Sequence, residues 1–294
     1  MNTEILFFKS SSRGEWIYTI SNYVERIHFP SSKDHYIRLV FSQSIEVSHI
    51  EPTHIVTLAC LIQFLAEKGY HVLIDPRNRP VYDFLWYDVR LKEYWKGGKN
   101  YTPSQDDTIC NLWRIVDSEK EMHSIRVHDY LQQHFFQHKD LTAVKNSLDE
   151  AYCNISDHAE AGGNAFSFIK YDSEREKLQV AVCDFGKGIA RSIRSCEQYK
   201  DIDSDDKALS IAIIDGETAR SQSHNRGFGL GNIITSRCSS DDIFRLISNR
   251  GFVYITGDLQ KTFLNNFNFP GTLMYYELSL SQFDDLDILS NFEF

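Results

Sequence analysis

Two short stretches with glycine at alternate positions, Asp184-Phe-Gly186-Lys-Gly188-Ile189 and Arg226-Gly227-Phe-Gly229-Leu230-Gly231, constrain this chain more than any other feature. Alternate glycines weaken a strand and a helix alike, so the backbone turns at both places. The first stretch follows a strand-like run, and the second leads into a helical segment. Glycine at the start of a helix leaves backbone N–H groups free to face an anion. Either turn alone would serve equally well to close a hairpin, so the surrounding elements decide.

Those elements run in a definite order. A helical pattern spans Ser118 to Gln137, and a second runs from Asp140 to about Ala159, ending near Gly162-Gly163. Strands Ala165 to Tyr171 and Leu178 to Cys183 flank the polar turn Asp172 to Lys177, which reads as a hairpin. Four-residue spacing puts Glu150, Asn154 and His158 on one face of the second helix, with Leu148, Ala151, Tyr152 and Ile155 supplying its buried side. An acid and an amide so placed also fit a solvated helix face. Near the end, Pro270-Gly271-Thr272 precedes a strand from Leu273 to Leu280.

The N-terminal part reads as a β-α-β unit: strand His35 to Phe41, helix Pro52 to Lys68 closed by Gly69, and strand Tyr70 to Ile74. Ile55, Leu58, Ala59, Ile62, Leu65 and Ala66 form one apolar helix face, and the other face is mixed. A second amphipathic stretch, Pro80 to Trp95, covers the same sheet. The run Trp95 to Pro103 is the expected boundary between units 1–104 and 105–280, with an acidic, apolar tail at 281–294 that reads as a docking segment.

Composition narrows the function classes. A formal net charge of −10 disfavours non-specific affinity for nucleic acid or an anionic membrane. The most apolar window, Ile55 to Ala66, is far short of the ~20 residues that cross a bilayer, and the acidic start lacks the pattern of a secretory leader. Six cysteines without a C-x-x-C pair suggest neither a zinc knuckle nor a redox motif and fit reduced thiols in a cytoplasmic protein.

The four signals in this order, the E-x-x-x-N-x-x-x-H helix, the D-x-G-x-G turn, the G-x-G-L turn and the G-T strand start, resemble the boxes of the histidine-kinase/Hsp90-like (GHKL) superfamily over roughly residues 118–280. The resemblance implies an α+β architecture: a C-terminal Bergerat-fold sandwich preceded by a smaller α/β unit. It also implies ATP and Mg²⁺ as cofactors. Asn154 would then be the metal residue, since Mg²⁺ takes oxygen ligands, keeps water and bridges phosphates, so one amide oxygen suffices. Glu150 would be the catalytic base. Asp184 would accept a hydrogen bond from the exocyclic amine of adenine, with Thr272 supporting it. Gly186, Gly188 and Ile189 would pass close to the ring, and Gly227, Gly229, Leu230 and Gly231 would meet the phosphates.

His158 reads as a structural residue, and Lys187 as exposed. The acidic stretch holding Glu197, Asp201, Asp203, Asp205 and Asp206 reads as a solvated loop. The family carries its mobile ATP lid there, so residues 190–226 are expected to be disordered without nucleotide.

The compact helix is most similar to the anti-sigma serine-kinase branch, whose partners are STAS-domain proteins. Residues 35–96 themselves resemble a STAS-like domain, although Pro52 occupies the place nearest the usual phosphoacceptor, with Ser48 and Thr53 as neighbours. Such a unit is expected to act as a binding or dimerisation surface. The expected function is an ATP-dependent regulator with slow hydrolysis or nucleotide-gated closure, with a protein partner or a second copy of the chain. The alternative is a serine/threonine protein kinase acting on a STAS-like or other protein.

Overall fold

A computed structural model describes residues 2–28, 35–91, 93, 112–155, 159–213, 230–236 and 239–286. The fold is mixed α/β, with a three-stranded parallel sheet and a five-stranded antiparallel sheet. The expected boundary at Trp95 to Pro103 lies outside the described residues.

The small sheet has the order β1 (Asn2–Phe8), β2 (His35–Phe41), β3 (His71–Ile74). The expected β-α-β unit corresponds to β2, α2 (Pro52–Glu67) and β3; β1 and α1 (Arg13–Arg26) were not read from the sequence. Pro52 sits in the first turn of α2, where its missing N–H costs nothing. Glu51 accepts from the backbone of His54 and donates its own N–H to His54 Nδ1 at 2.9 Å, a reciprocal cap. Gly69, at φ +92°, follows the last turn.

Helix α2 corrects one expectation. It is buried on nearly all sides from Pro52 to Ile62, whereas Ala66, placed on the apolar face, is exposed. The cause is its position: α2 packs against β3 on one side and against the large sheet on the other. Among its polar residues, Thr57 Oγ1 donates to Thr53 O at 2.7 Å and His54 Nε2 lies 3.0 Å from Ser11 O, whereas the buried Thr53 Oγ1 has no hydrogen-bond partner. The stretch expected as one helix to Trp95 is α3 (Arg79–Asp83), capped by Asn78 and widened into a π turn at Phe84–Asp88. Val81, Leu85 and Leu91 are buried, and Arg90 at φ +63° breaks the helix. Tyr94 and Trp95 lie outside the described residues.

The large sheet has the order β4 (Trp113–Arg114), β5 (Ala165–Asp172), β6 (Lys177–Asp184), β8 (Leu259–Ser279), β7 (Ile243–Thr256). Strands β5 and β6 form the expected hairpin and are buried along almost their whole length, because both sheet faces are covered. One face carries α4 (Lys120–His134), α5 (Thr142–Asn154), α6 (Ile189–Arg194), α7 (Asp205–Ala212) and α8 (Leu230–Thr235), around Leu131, Leu148, Tyr152, Leu209 and Phe244. The other face, with Phe166, Phe168, Cys183, Leu273 and Tyr275, shares one core with α1, α2 and the small sheet. Four layers result, and the two halves of the chain meet through apolar side chains.

Three further expectations change. Pro270-Gly271-Thr272 does not begin a strand; it lies inside the 21-residue β8, at an irregularity where register passes from Ser248↔Thr272 to Asn249↔Phe269. Proline lacks the ladder donor, and this extra length accommodates it. Residues 190–213, expected to be lid and loop, instead hold α6 and α7 with Ile193, Ala208 and Leu209 buried. Asp205 is no solvated acid: it pairs with Arg194 Nη2 at 2.5 Å and accepts from Arg250 N at 2.9 Å. Residues 214–226 lie outside the described residues. The tail docks up to Leu286, through Asp140 N to Asp284 O at 2.9 Å and Leu286 N to His138 O at 2.6 Å, with Phe283 buried.

Candidate nucleotide site

Helix α5 is fixed to the large sheet before its functional face is considered. Ser147 Oγ lies 3.0 Å from Tyr276 Oη, and Tyr152 Oη 3.0 Å from Ser167 Oγ, beneath the fully buried Leu148 and Ala151. Glu150 and Asn154 therefore share the half-buried side of the helix. Asn154 Nδ2 donates to both Glu150 O and Glu150 Oε1, each at 2.9 Å. Both amide protons are thereby used, and Oδ1 remains as an acceptor with a fixed orientation.

Asp184 ends β6 and is 2% exposed. Gly186 N donates to its Oδ1 at 2.9 Å, and Thr272, directly opposite on β8, donates through both its backbone N–H and its hydroxyl. Among the described residues no cation is paired with this carboxylate. Burial pushes its pKa up to about 7, with the hydrogen bonds from Gly186 and Thr272 opposing that rise.

The turn after Asp184 is held from β7 by residues the sequence reading missed. Ile189 N donates to Ser248 Oγ at 2.7 Å, and Ser248 Oγ donates to Gly271 O at 3.1 Å. Asn249, itself at φ +52°, donates to Lys187 O at 3.3 Å. Ser248 and Asn249 look ordinary in sequence, and only the unread pairing of β7 with β8 brings them here. The glycines act against protein rather than open space: a Cβ at Gly186 would stand 2.0 Å from Ala159 O, and one at Gly188, with φ +80°, 2.5 Å from Asn249 Oδ1. Lys187, expected to be exposed, is three-quarters covered and pairs with Glu160 at 2.8 Å.

These elements line a small pocket that is partly open to solvent. Asn154, Asp184, Gly188, Ile189, Leu230 and Thr272 line it, over an apolar floor of Ala151, Ile155, Val182 and Met274 with Ala159 alongside. Three helices and two strands, separated by more than a hundred residues of chain, thus deliver the sequence-derived candidates to one place. Glu150 stands one turn behind Asn154, outside the lining, and Gly186 lies behind the turn. Gly231 is buried in α8 but does not line the cavity. Gly227, Gly229 and His158 lie outside the described residues. Among the described residues there is no cluster of three or more His, Cys, Asp or Glu that could hold a metal ion; a cation here would rely on the Asn154 amide oxygen and on its ligand. No described helix is long and apolar enough to cross a membrane. Compared with known proteins, the chain matches no family model, no curated protein and no solved structure.

Proposed function

We propose that the chain binds ATP with Mg²⁺ in this cavity and acts as a nucleotide-dependent regulator of the GHKL type, through slow hydrolysis or closure. The observation that carries this reading is the convergence of Asn154, Asp184, Gly188, Ile189, Leu230 and Thr272 on one apolar-floored cavity.

The residues fit the group. A buried carboxylate with no protein cation recognises a ligand N–H donor, which an adenine amine provides and a carbonyl-bearing base does not. Val182 and Met274 supply the apolar surface that a flat base covers. Asn154 Oδ1 offers the single protein oxygen that a phosphate-bound Mg²⁺ needs, and that ion would supply charge neutralisation across the phosphates. Glu150, whose Oε1 accepts from the Asn154 amide, would take the proton from an attacking oxygen.

Glu150 lies outside the pocket lining and is half-buried. This favours keeping a serine/threonine kinase as the second reading. In either case the N-terminal unit, with its parallel sheet, serves as a STAS-like binding surface. Calorimetric titration with ATP and ADP, with and without Mg²⁺, tests nucleotide binding; no heat under any condition overturns it. Incubation with γ-labelled ATP then separates hydrolysis, with label in free phosphate, from transfer, with label on protein.

A further inference from the structure

The turn that brings Gly188 and Ile189 to the pocket belongs to a closed circuit of contacts. Helix α6 begins at Ile189 and ends at Arg194, whose Nη2 meets Asp205 Oδ1 at 2.5 Å and whose Nε donates to Ile202 O at 2.9 Å. Asp205 opens α7, and its second oxygen, Oδ2, accepts from Arg250 N at 2.9 Å. Arg250 directly follows Ser248 and Asn249, which hold Ile189 N and Lys187 O. The path leaves the turn along α6, crosses one carboxylate and returns to the turn from β7.

The returning limb is strained. Asn249 stands at φ +52°, a left-handed conformation that costs free energy in a residue with a side chain. Such a backbone persists only where its surroundings hold it. Register passes from Asn249↔Phe269 to Gly251↔Leu264, so the ladder gives Arg250 no partner on β8, and its N–H goes to Asp205. The Asn249 side chain adds one long hydrogen bond to the turn, 3.3 Å to Lys187 O, while its Oδ1 is buried without a partner. Next along β7, a Cβ at Gly251 would stand 2.8 Å from Asp205 O, so α7 lies directly on this backbone.

Asp205 does not line the pocket. Its two oxygens serve two different donors, one on α6 and one on β7. An amide in its place has a single oxygen and turns an N–H toward one of those donors.

We propose that Asp205 is a positioning residue of the nucleotide site. By joining Arg194 to Arg250 it fixes the left-handed backbone at Asn249 and, through it, the places of Gly188 and Ile189 at the pocket. The proposal rests on the reading of the pocket as a nucleotide site.

The test compares wild type with Asp205→Asn, Arg194→Gln, Asn249→Ala, the Asp205→Asn/Asn249→Ala double variant and Ile20→Ala. Each is measured by amide hydrogen exchange without ligand and by calorimetric titration with ATP and Mg²⁺, and melting curves confirm folding. Ile20 is fully buried in α1, outside the circuit, so its truncation lowers the melting temperature without touching Asp205. Asp205→Asn is expected to speed exchange over residues 187–192 at least about tenfold and to weaken ATP binding by a similar factor. Arg194→Gln opens the circuit at its other link and acts in the same direction, whereas Ile20→Ala leaves both readouts unchanged. In the double variant the two losses of affinity do not multiply, because both substitutions open one circuit. Exchange over 187–192 that is unchanged in Asp205→Asn and Arg194→Gln overturns the positioning role, whether or not ATP binds. Unchanged ATP affinity in those variants, an equal loss in Ile20→Ala, or losses that multiply in the double variant also overturn it. A wild type that binds no ATP but whose exchange responds as expected overturns the nucleotide reading instead.

Discussion

Asp184 and Thr272 stand in register across β6 and β8, and the threonine gives the buried carboxylate two of its donors. Thr272→Val removes the hydroxyl and keeps the backbone N–H. The carboxyl pKa is expected to rise further, and ATP affinity at neutral pH to fall about tenfold, the scale of one lost hydrogen bond to a charged group. Calorimetry on the two proteins checks this, and unchanged affinity would show that the hydroxyl is idle.

The carboxyl of Asp184 also makes stability depend on pH in a predictable direction. Its folded pKa of about 7 lies above the ordinary value of 3.8, so between those values the folded state holds more proton than the unfolded one. Stability contributed by the protonated group is full below about pH 4 and is lost as pH rises toward 7. Asp184→Asn removes this component. The melting temperature of the wild type minus that of the variant is expected to decline from pH 4 to pH 7 and to level off above; a flat difference would contradict the buried, unpaired carboxyl.

Asn154→Ala and Glu150→Ala are expected to separate binding from turnover. The first removes the side-chain oxygen proposed for the cation and is expected to abolish the Mg²⁺-dependent part of ATP affinity. The second leaves ATP bound and slows turnover by roughly 10²–10⁴-fold, the usual contribution of a general base. Equal ATP titrations for Asn154→Ala and wild type would defeat the metal assignment.

Gly186→Ala and Gly162→Ala distinguish two kinds of glycine. At Gly186 an added methyl meets Ala159 O at 2.0 Å, whereas at Gly162, with φ +59°, nothing lies within 4 Å. The first variant is expected to lose about 2–3 kcal/mol, and the second about 1 kcal/mol, from backbone strain alone. Urea denaturation orders them, and a reversed order would be incompatible with the packing described.

The elements around the cavity that follow from local pattern were legible: the α5 spacing, the β5–β6 hairpin and the turn after Asp184 each rest on residues close in sequence. Residues 243–272 were not. Their pairing spans a bulge at Asn249, and Pro270-Gly271 reads locally as a strand entrance although it interrupts a long strand. The acids around Asp205 look like a solvated run until Arg194 and the backbone of Arg250 are brought to them by the fold. The burial of α2 was hidden for a different reason. Periodicity reports a helix with one neighbour, and α2 has two.

Helix α2 reaches the turn after Asp184 through specific contacts. Cys60 Sγ donates to Cys183 O at 3.4 Å, Asn164 Nδ2 to Cys60 O at 3.1 Å, and Phe185 N to Asn164 O at 3.0 Å, with Phe64 edge-on to Phe185. Excising the N-terminal third would strip the covering from Phe166, Phe168 and Tyr275 and leave the residues behind Asp184 facing water. The two halves are therefore partners in one folding unit, and any signal that tilts α2 is felt one residue from Asp184.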